Sequence, residues 1–131
     1  MTDQPFGLRR LGQIAVTVRD LDRAVTFYRD VLGLPFLFRA PPAMAFFDLD
    51  GIRLLLGEPE GESTEHFASI LYFRVDDIAG TADGLRTRGA TFDRDPELVA
   101  RLPDREIWLA FFKDSEGNTL ALMEERGRVD G

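Results

Sequence analysis

Two arginines and two neutral polar residues are the side chains of this chain best suited to binding a small ligand. Arg53 and Arg74 each lie in a predicted strand, at a position turned away from the predicted helix. A guanidinium in a partly dry site binds a carboxylate or another anion through paired, charge-assisted hydrogen bonds. Gln13 and Tyr72 could orient such a ligand. The alternative is that each arginine pairs with a surface carboxylate, and that Gln13 and Tyr72 are core residues with satisfied hydrogen bonds.

An internal repeat would position these side chains. Residues 13–21 (QIAVTVRDL) align without a gap with residues 70–78 (ILYFRVDDI). Both stretches alternate between apolar and other residues, which is typical of a half-buried strand. The alternation predicts one buried face in each copy. The opposite faces then carry Gln13, Ala15 and Thr17 in the first copy, and Ile70, Tyr72 and Arg74 in the second.

Each repeated strand leads into a helix, a returning strand and a hairpin. Asp20 and Asp77 can cap the helices at their N-termini, and Gly33 and Gly89 can stop them. The returning strands are predicted at residues 34–39 and 90–93. Turn signals at residues 50–51 and 114–118 predict hairpins. Their strands are expected at residues 45–49 with 52–56, and at 106–113 with 119–124. The extra segment 96–105 of the second half contains two prolines and is predicted to be a loop.

The order of these elements predicts an α+β protein made of two βαβββ modules. With 131 residues, of which 44% are hydrophobic, the chain is long enough for one core. We expect a single domain over residues 1–131, with half-repeats at about 11–56 and 68–124. One module would leave an apolar sheet face uncovered, so we expect the two modules to join into a curved mixed sheet that closes into a cup.

Composition excludes several classes of function. The net charge of −7 opposes binding to the phosphate backbone of nucleic acids. No apolar run approaches the roughly 20 residues of a membrane helix. The chain has no cysteine, which excludes disulfides, thiolate nucleophiles and cysteine-bound metals. We therefore expect a cytoplasmic protein that has no nucleic-acid or membrane partner.

Two segments resemble a known family. Residues 13–34 (QIAVTVRDLDRAVTFYRDVLGL) resemble the opening of vicinal-oxygen-chelate proteins, the glyoxalase/bleomycin-resistance/dioxygenase group. Residues 114–118 (DSEGN), followed by a strand and Glu124, resemble the closing segment of that family. The resemblance covers about residues 11–125. It implies the duplicated βαβββ fold and a homodimer with its cups completed near the subunit contact. It does not fix the function, because the family includes isomerases, epimerases, dioxygenases, fosfomycin transferases and drug-sequestering proteins.

The resemblance also implies where a metal would be held. Catalytic members place ligands near the start of the first strand and on the last strand of each half, with His, Gln or Glu at these positions. In this sequence the positions are Gln13, Leu55, Ile70 and Ala121. A divalent ion held by one neutral amide would bind weakly, because carboxylates and imidazoles supply the affinity of such sites. We therefore expect no cofactor. The alternative is a divalent metal at a divergent site that uses Gln13 and His66, the only histidine.

These observations favour a small-molecule-binding protein that is similar to bleomycin-resistance members and lacks the usual metal ligands. The ligand is expected to be acidic or aromatic. The alternative is a metalloenzyme of glyoxalase type (a lyase or isomerase) or dioxygenase type, so enzymatic activity is left open. Trp108 is either a packed aromatic or a platform for a ligand. The candidate ligand-binding residues are Gln13, Thr17, Arg53, Tyr72, Arg74, Trp108 and Met123.

Overall fold

A computed structural model describes residues 7–59 and 69–127. The first half contains β1 (Gln13–Thr17), α1 (Leu21–Thr26), β2 (Phe36–Ala40), β3 (Met44–Leu49) and β4 (Ile52–Gly57). Helix α1 continues as a π-helical turn over Phe27–Val31. The second half contains β5 (Leu71–Arg74), α2 (Ile78–Thr87), β6 (Thr91–Phe92), β7 (Glu97–Arg101), β8 (Arg105–Lys113) and β9 (Thr119–Gly127). The predicted α+β class is confirmed.

The strands form two mixed sheets, one from each half. The order is β1-β4-β3-β2 in the first sheet and β5-β9-β8-β6 in the second, where β7 also pairs with β8. In both sheets the strand before the helix pairs in parallel with the last strand of its half, and the other pairs are antiparallel. This shared pattern confirms the predicted duplication. The closure of the sheets into a cup stays a prediction.

Each helix begins at two carboxylates. The predicted caps are confirmed: Asp20 accepts a hydrogen bond from the backbone N–H of Arg23, and Asp77 from that of Gly80. A second carboxylate comes from Glu58, directly after β4, in the first half and from Glu124, within β9, in the second. Glu58 accepts from Leu21 N at 2.8 Å, and Glu124 accepts from Ile78 N at 2.8 Å. Negative charge at a helix N-terminus satisfies unpaired N–H groups and is favoured by the helix dipole.

The core lies against the helix-facing sides of both sheets. The alternation predicted for β1 and β5 is confirmed, since one face of each strand is buried or half-buried and the other is largely exposed. One continuous cluster joins the two halves. It includes Val16, Val18, Phe47, Leu54 and Leu56 from the first half, and Ile78, Ala110, Phe112, Leu120 and Leu122 from the second. Among the described residues, no helix is long and apolar enough to cross a membrane.

The predicted loop at residues 96–105 was wrong in its first part. Residues Glu97–Arg101 form β7, which pairs antiparallel with β8. The prolines lie on either side of this strand rather than within it, so they remove no hydrogen bond from the pairing. Leu98 and Ala100 are half-buried, whereas the residues between and beside them are exposed. The extra segment therefore extends the edge of the second sheet.

Candidate functional site

Each sheet has one face against the core and an opposite face that we call its open face. The strand register assigns the residues of each open face, because residues paired across neighbouring strands share a face. The first open face contains Gln13, Ala15, Thr17, Phe38, Phe46, Arg53 and Leu55. The second open face contains Tyr72, Arg74, Arg105, Leu109, Phe111, Ala121, Met123 and Glu125. Six of the seven predicted ligand-binding residues lie on these two faces, three on each.

The first open face combines a polar end with an aromatic end. Gln13 pairs with Arg53 across β1 and β4, and Arg53 pairs with Asp48 across β4 and β3. Arg53 is exposed, and within residues 7–59 and 69–127 its guanidinium has no ion pair. Phe38 stacks on Phe46 with the ring centroids 4.5 Å apart.

A small cavity lies beside these residues. It has a volume of about 210 Å³, and its lining includes Thr17 and Leu55.

The second open face is mainly apolar and carries its own aromatic pair. Tyr72 and Phe111 meet edge to face, with centroids 6.1 Å apart, and remain 47% and 40% exposed. Met123 pairs with Arg74 across β5 and β9, and Tyr72 pairs with Ala121. Exposed aromatic side chains next to an arginine can contact a flat apolar ligand while the arginine binds its charged group.

Two arginines share one carboxylate on the second open face. Glu125 Oε2 lies 2.7 Å from Arg74 Nη2, and Glu125 Oε1 lies 3.0 Å from Arg105 Nε. We call these residues the Arg74–Glu125–Arg105 cluster. The Arg74 side chain is 69% exposed, whereas that of Glu125 is only 17% exposed. Arg74 thus keeps much of its hydrogen-bonding capacity towards solvent while it pairs with an internal carboxylate.

A groove joins the two halves next to Arg74. Its volume is about 550 Å³, within the range of small-molecule sites. Tyr72 and Arg74 line it from β5, and Asp48 and Asp50 line it from the β3–β4 hairpin. The remaining lining is mainly apolar and includes Ile14, Leu34, Leu49, Ile52, Ile70 and Phe73.

Trp108 is separated from the other candidates. It pairs with Glu124 across β8 and β9, and both side chains belong to the core-facing side of the sheet. The indole Nε1 donates to Glu106 at 3.2 Å, and the guanidinium of Arg126 lies 4.4 Å from the centre of a ring of Trp108. Trp108 is therefore a half-buried aromatic on the core-facing side of the sheet, and its contact with a ligand stays a prediction.

The four positions at which the resemblance implies metal ligands do not offer a matching donor set. Gln13 is exposed, Leu55 is half-buried, Ile70 is exposed and Ala121 is fully buried. The described ranges contain no group of three or more His, Asp or Glu residues arranged to hold a metal ion. His66, the other metal candidate, lies outside the described residues. One amide and three hydrocarbon side chains do not fit a catalytic divalent ion of this type.

A buried polar network connects the two halves. Asp114 accepts hydrogen bonds from the Tyr28 hydroxyl at 2.7 Å and from the Asn118 side chain at 2.9 Å. Glu116 binds the Arg23 guanidinium with both oxygens, at 2.7 and 3.0 Å. We call this network, Arg23, Tyr28, Asp114, Glu116 and Asn118, the junction. It fixes the β8–β9 turn against the start of α1.

The junction perturbs the acidity of two of its members. Burial and the nearby Asp114 carboxylate raise the pKa of Tyr28 far above its ordinary value. Burial alone would raise the pKa of Glu116. The hydrogen bonds from Arg23, Asp20 N, Ser115 and Arg19 N outweigh it and lower the pKa of Glu116 from 4.5 to about 2. Both groups therefore keep one protonation state near neutral pH, which is typical of a structural network.

The sequence did not reveal the roles of Glu58, Arg105 and Glu125. Glu58, for which the sequence suggested no role, caps α1. Its equivalence to Glu124, which the two matched hairpins already imply, was the signal that could have revealed it. The pairing of Arg105 with Glu125 lies beyond the predicted ends of both hairpin strands, so its register could not be read from the alternation.

Comparisons with known proteins agree with this architecture. A sequence model described as the Glyoxalase/Bleomycin resistance protein/Dioxygenase superfamily matches residues 10–122. The uncharacterized Bacillus subtilis protein YraH is 29% identical, with 86% of this chain and 96% of YraH covered. YetH of the same organism is 23% identical, with 89% and 99% covered.

Two solved structures share the fold. Lactoylglutathione lyase from Agrobacterium tumefaciens gives a TM-score of 0.71 at 22% identity, covering 88% of this chain and 92% of that chain. A glyoxalase/bleomycin resistance protein/dioxygenase from Nocardioides gives a TM-score of 0.73 at 20% identity, covering 97% and 91%.

Proposed function

We propose that the chain, which belongs to the Glyoxalase/Bleomycin resistance protein/Dioxygenase superfamily, binds a small acidic or aromatic molecule without a divalent metal ion. The single observation that carries this proposal is the groove of about 550 Å³, where Arg74 and Tyr72 adjoin a mainly apolar lining. An apolar concavity with a few polar groups is the usual composition of a small-molecule site. The arginine supplies an anchor for an anion, and the apolar wall supplies burial for a ring.

The composition of the open faces supports the same ligand class. Each face carries one arginine predicted from the sequence and one aromatic pair. In a core these aromatics would be covered, but Tyr72 and Phe111 remain substantially exposed. Exposed apolar side chains grouped beside a charged anchor indicate a binding surface. Gln13, Thr17 and Met123 complete the polar and flexible contacts that we assign to this surface.

Thermal unfolding in the presence of a panel of aromatic and acidic metabolites tests the binding function. A ligand at one hundred times its Kd stabilises the folded state by about 2.7 kcal/mol, which raises the Tm of a domain of this size by several degrees. Arg74→Ala should abolish the shift given by an acidic ligand. Arg53→Ala reports on the first open face, and Arg94→Ala, an exposed arginine paired with Glu97, serves as the matched control. A panel in which no compound raises the Tm would contradict the proposal.

The alternative function is a metalloenzyme of glyoxalase or dioxygenase type with a divergent metal site. The likeness to the lactoylglutathione lyase of Agrobacterium tumefaciens is a likeness of fold. Titration of the purified protein with Ni²⁺, Zn²⁺, Mn²⁺ and Fe²⁺ separates the two functions. We expect no stoichiometric tight binding. A tight site that disappears in Gln13→Ala and His66→Ala would replace our proposal with the metalloenzyme.

By family resemblance we also propose a homodimer, and from the sequence alone a cytoplasmic location. A second copy of the chain is the partner best matched to the exposed side chains of β2, which include Phe36, Leu37 and Phe38. Light scattering after size-exclusion chromatography should give twice the mass of one chain. Phe38→Asp should shift the mass to that of one chain while the circular dichroism spectrum stays native. A wild-type mass of one chain at micromolar concentration would contradict the dimer.

A further inference from the structure

We propose that Arg105 is a positioning residue that keeps Arg74 available to the carboxylate of an aromatic acid. This inference rests on the proposed binding function and names the ligand class of the same site. Arg105 acts through Glu125, which it shares with Arg74, and does not itself contact the ligand. The ligand is a planar aromatic carboxylate, with its ring against Tyr72 and the apolar lining of the groove and its anionic group on Arg74.

The first step is the charge balance of the cluster. Two guanidinium groups lie within 3.0 Å of one carboxylate, so Glu125 can compensate only one of them. Among the described residues, Arg105 also pairs with Asp104, which lies 3.0 Å from Arg105 Nη1 and has a side chain that is 71% exposed. Water screens the charge of such an exposed carboxylate strongly. The three residues of the cluster together therefore keep a positive charge on the second open face.

The second step assigns the compensating role to Arg105. Its Nε is buried and lies 3.0 Å from Glu125 Oε1, yet it makes no hydrogen bond within the described part of the chain. Arg105 therefore acts on Glu125 mainly as a fixed positive charge. Without this charge, Glu125 would form an ion pair with Arg74 only. The Glu125 carboxylate would then compete with the carboxylate of the ligand for the guanidinium of Arg74.

The third step concerns the free side of Arg74. Its ion pair with Glu125 uses Nη2, and the side chain is 69% exposed. A guanidinium carries five N–H donors in one plane, so the unused edge can bind a second carboxylate with two parallel hydrogen bonds. Tyr72 lies two residues before Arg74 on the same face of β5, and its ring meets that of Phe111. This juxtaposition fits an aromatic ring that carries a carboxylate.

The test uses 2-naphthoate and its neutral counterpart 2-naphthamide as probes, with Kd measured by calorimetry. In wild type we expect naphthoate to bind more tightly than naphthamide. Arg105→Gln should weaken naphthoate binding about tenfold, since one charge-assisted interaction is worth at least that factor. Arg105→Lys, which keeps the charge, should restore the wild-type Kd. Binding of naphthamide should stay unchanged in both variants.

A double-mutant cycle with Glu125→Gln makes the test specific. Glu125→Gln removes the carboxylate that competes with the ligand for Arg74, so it should tighten naphthoate binding several-fold. This gain should be smaller than the roughly tenfold loss expected for Arg105→Gln. In the double variant Arg105→Gln/Glu125→Gln, the loss caused by Arg105→Gln should disappear. Arg29→Gln is the matched control, because Arg29 is an exposed arginine that pairs with Asp30 at 2.8 Å in the π-helical turn of the first half. Its Kd for both probes should equal that of wild type.

The outcomes separate the inference from the proposed function. If Arg105→Gln leaves the naphthoate Kd unchanged, or weakens naphthamide equally, the positioning role of Arg105 is overturned. If naphthamide or another neutral aromatic binds more tightly than naphthoate, the ligand class is overturned while small-molecule binding stands. If neither probe nor any member of the metabolite panel binds, the proposed function and the inference fail together.

Discussion

The junction and the Arg74–Glu125–Arg105 cluster use the same chemistry for different purposes. In both, a glutamate lies against arginine side chains. Glu116 of the junction has a fully buried side chain and accepts from Arg23, Ser115 and the backbone N–H groups of Arg19 and Asp20. Glu125 of the cluster has two arginine neighbours, both with exposed portions. In the junction the donors are hydrogen-bonded within the chain, whereas in the cluster part of the Arg74 guanidinium remains exposed to solvent.

This difference shows that residue type alone does not assign a role to a charged group. A carboxylate whose oxygens are all occupied in a buried site stabilises the fold, because loss of either partner leaves a buried polar group unsatisfied. An exposed ion pair stabilises little, so its arginine can exchange partners at low cost. Burial and the number of donors therefore separate structural charges from those that can bind a ligand.

The largest expected effect comes from the centre of the junction. Asp114→Ala removes the acceptor of the Tyr28 hydroxyl, the Asn118 side chain and two backbone N–H groups. Because these donors are buried, the free energy of unfolding should fall by about 3 kcal/mol or more. Urea denaturation measures it. Asp95→Ala, at an exposed carboxylate that pairs with Arg86, should change it by less than about 0.5 kcal/mol. Equal losses of unfolding free energy in the two variants would contradict the distinction between buried structural carboxylates and exposed ones.

The second prediction concerns the pH dependence of the junction. The pKa of Glu116 is about 2 in the folded protein and 4.5 as its ordinary value. The folded pKa is the lower one, so the stabilisation is present above pH 4.5 and is lost as the pH falls towards 2. The difference between these pKa values corresponds to about 3 kcal/mol at neutral pH.

Comparison with Glu116→Gln isolates this contribution. The wild type should exceed the variant in unfolding free energy at pH 6, and the difference should shrink steadily between pH 4.5 and 2. A difference that stayed constant over this range would contradict the assigned pKa. Urea denaturation curves at four or five pH values measure this difference, provided that the slope of the unfolding free energy against urea concentration is the same in both proteins.

Much of the fold could be predicted from the sequence, because its signals are local. The alternation in β1 and β5, the Asp20 and Asp77 caps and the Gly51 turn each depend on a few neighbouring residues. The open-face positions of Arg53 and Arg74 followed from the same alternation. The loop assignment failed at β7, where the partner strand β8 and not the local sequence decides the conformation.

The Arg74–Glu125–Arg105 cluster could be predicted only in part. Arg74 was identified from its place in the repeat, but its partners come from the far ends of β8 and β9. Those strands extend beyond their predicted ends, and the pairing of Arg105 with Gly127 defines the register there. Long-range pairing of this kind leaves no periodic signal within a single strand. For the same reason the contacts of Asp114 and Glu116 with α1 could not be foreseen.

The third prediction compares the two capping glutamates, which are intermediate between the junction and the cluster. Glu124 is buried and accepts from Ile78 N, whereas the equivalent Glu58 is exposed and accepts from Leu21 N. Glu124→Ala should lower the unfolding free energy by about 1–2 kcal/mol and Glu58→Ala by about 0.5–1 kcal/mol. Urea denaturation of both variants measures which of the two losses in unfolding free energy is larger. A larger loss for Glu58→Ala would contradict burial as the deciding factor.

The smallest expected effect on stability is that of Glu125→Gln. The side chains of Arg74 and Arg105 are 69% and 43% exposed, and the Arg105 Nε that faces Glu125 makes no hydrogen bond to it within the described residues, so the unfolding free energy should change by no more than about 0.5 kcal/mol. The measurement is the same urea denaturation at neutral pH. A loss of about 2 kcal/mol or more would place Glu125 with Glu116 as a structural carboxylate. Arg74 would then be committed to the fold, and its capacity to bind a ligand anion would disappear with that result.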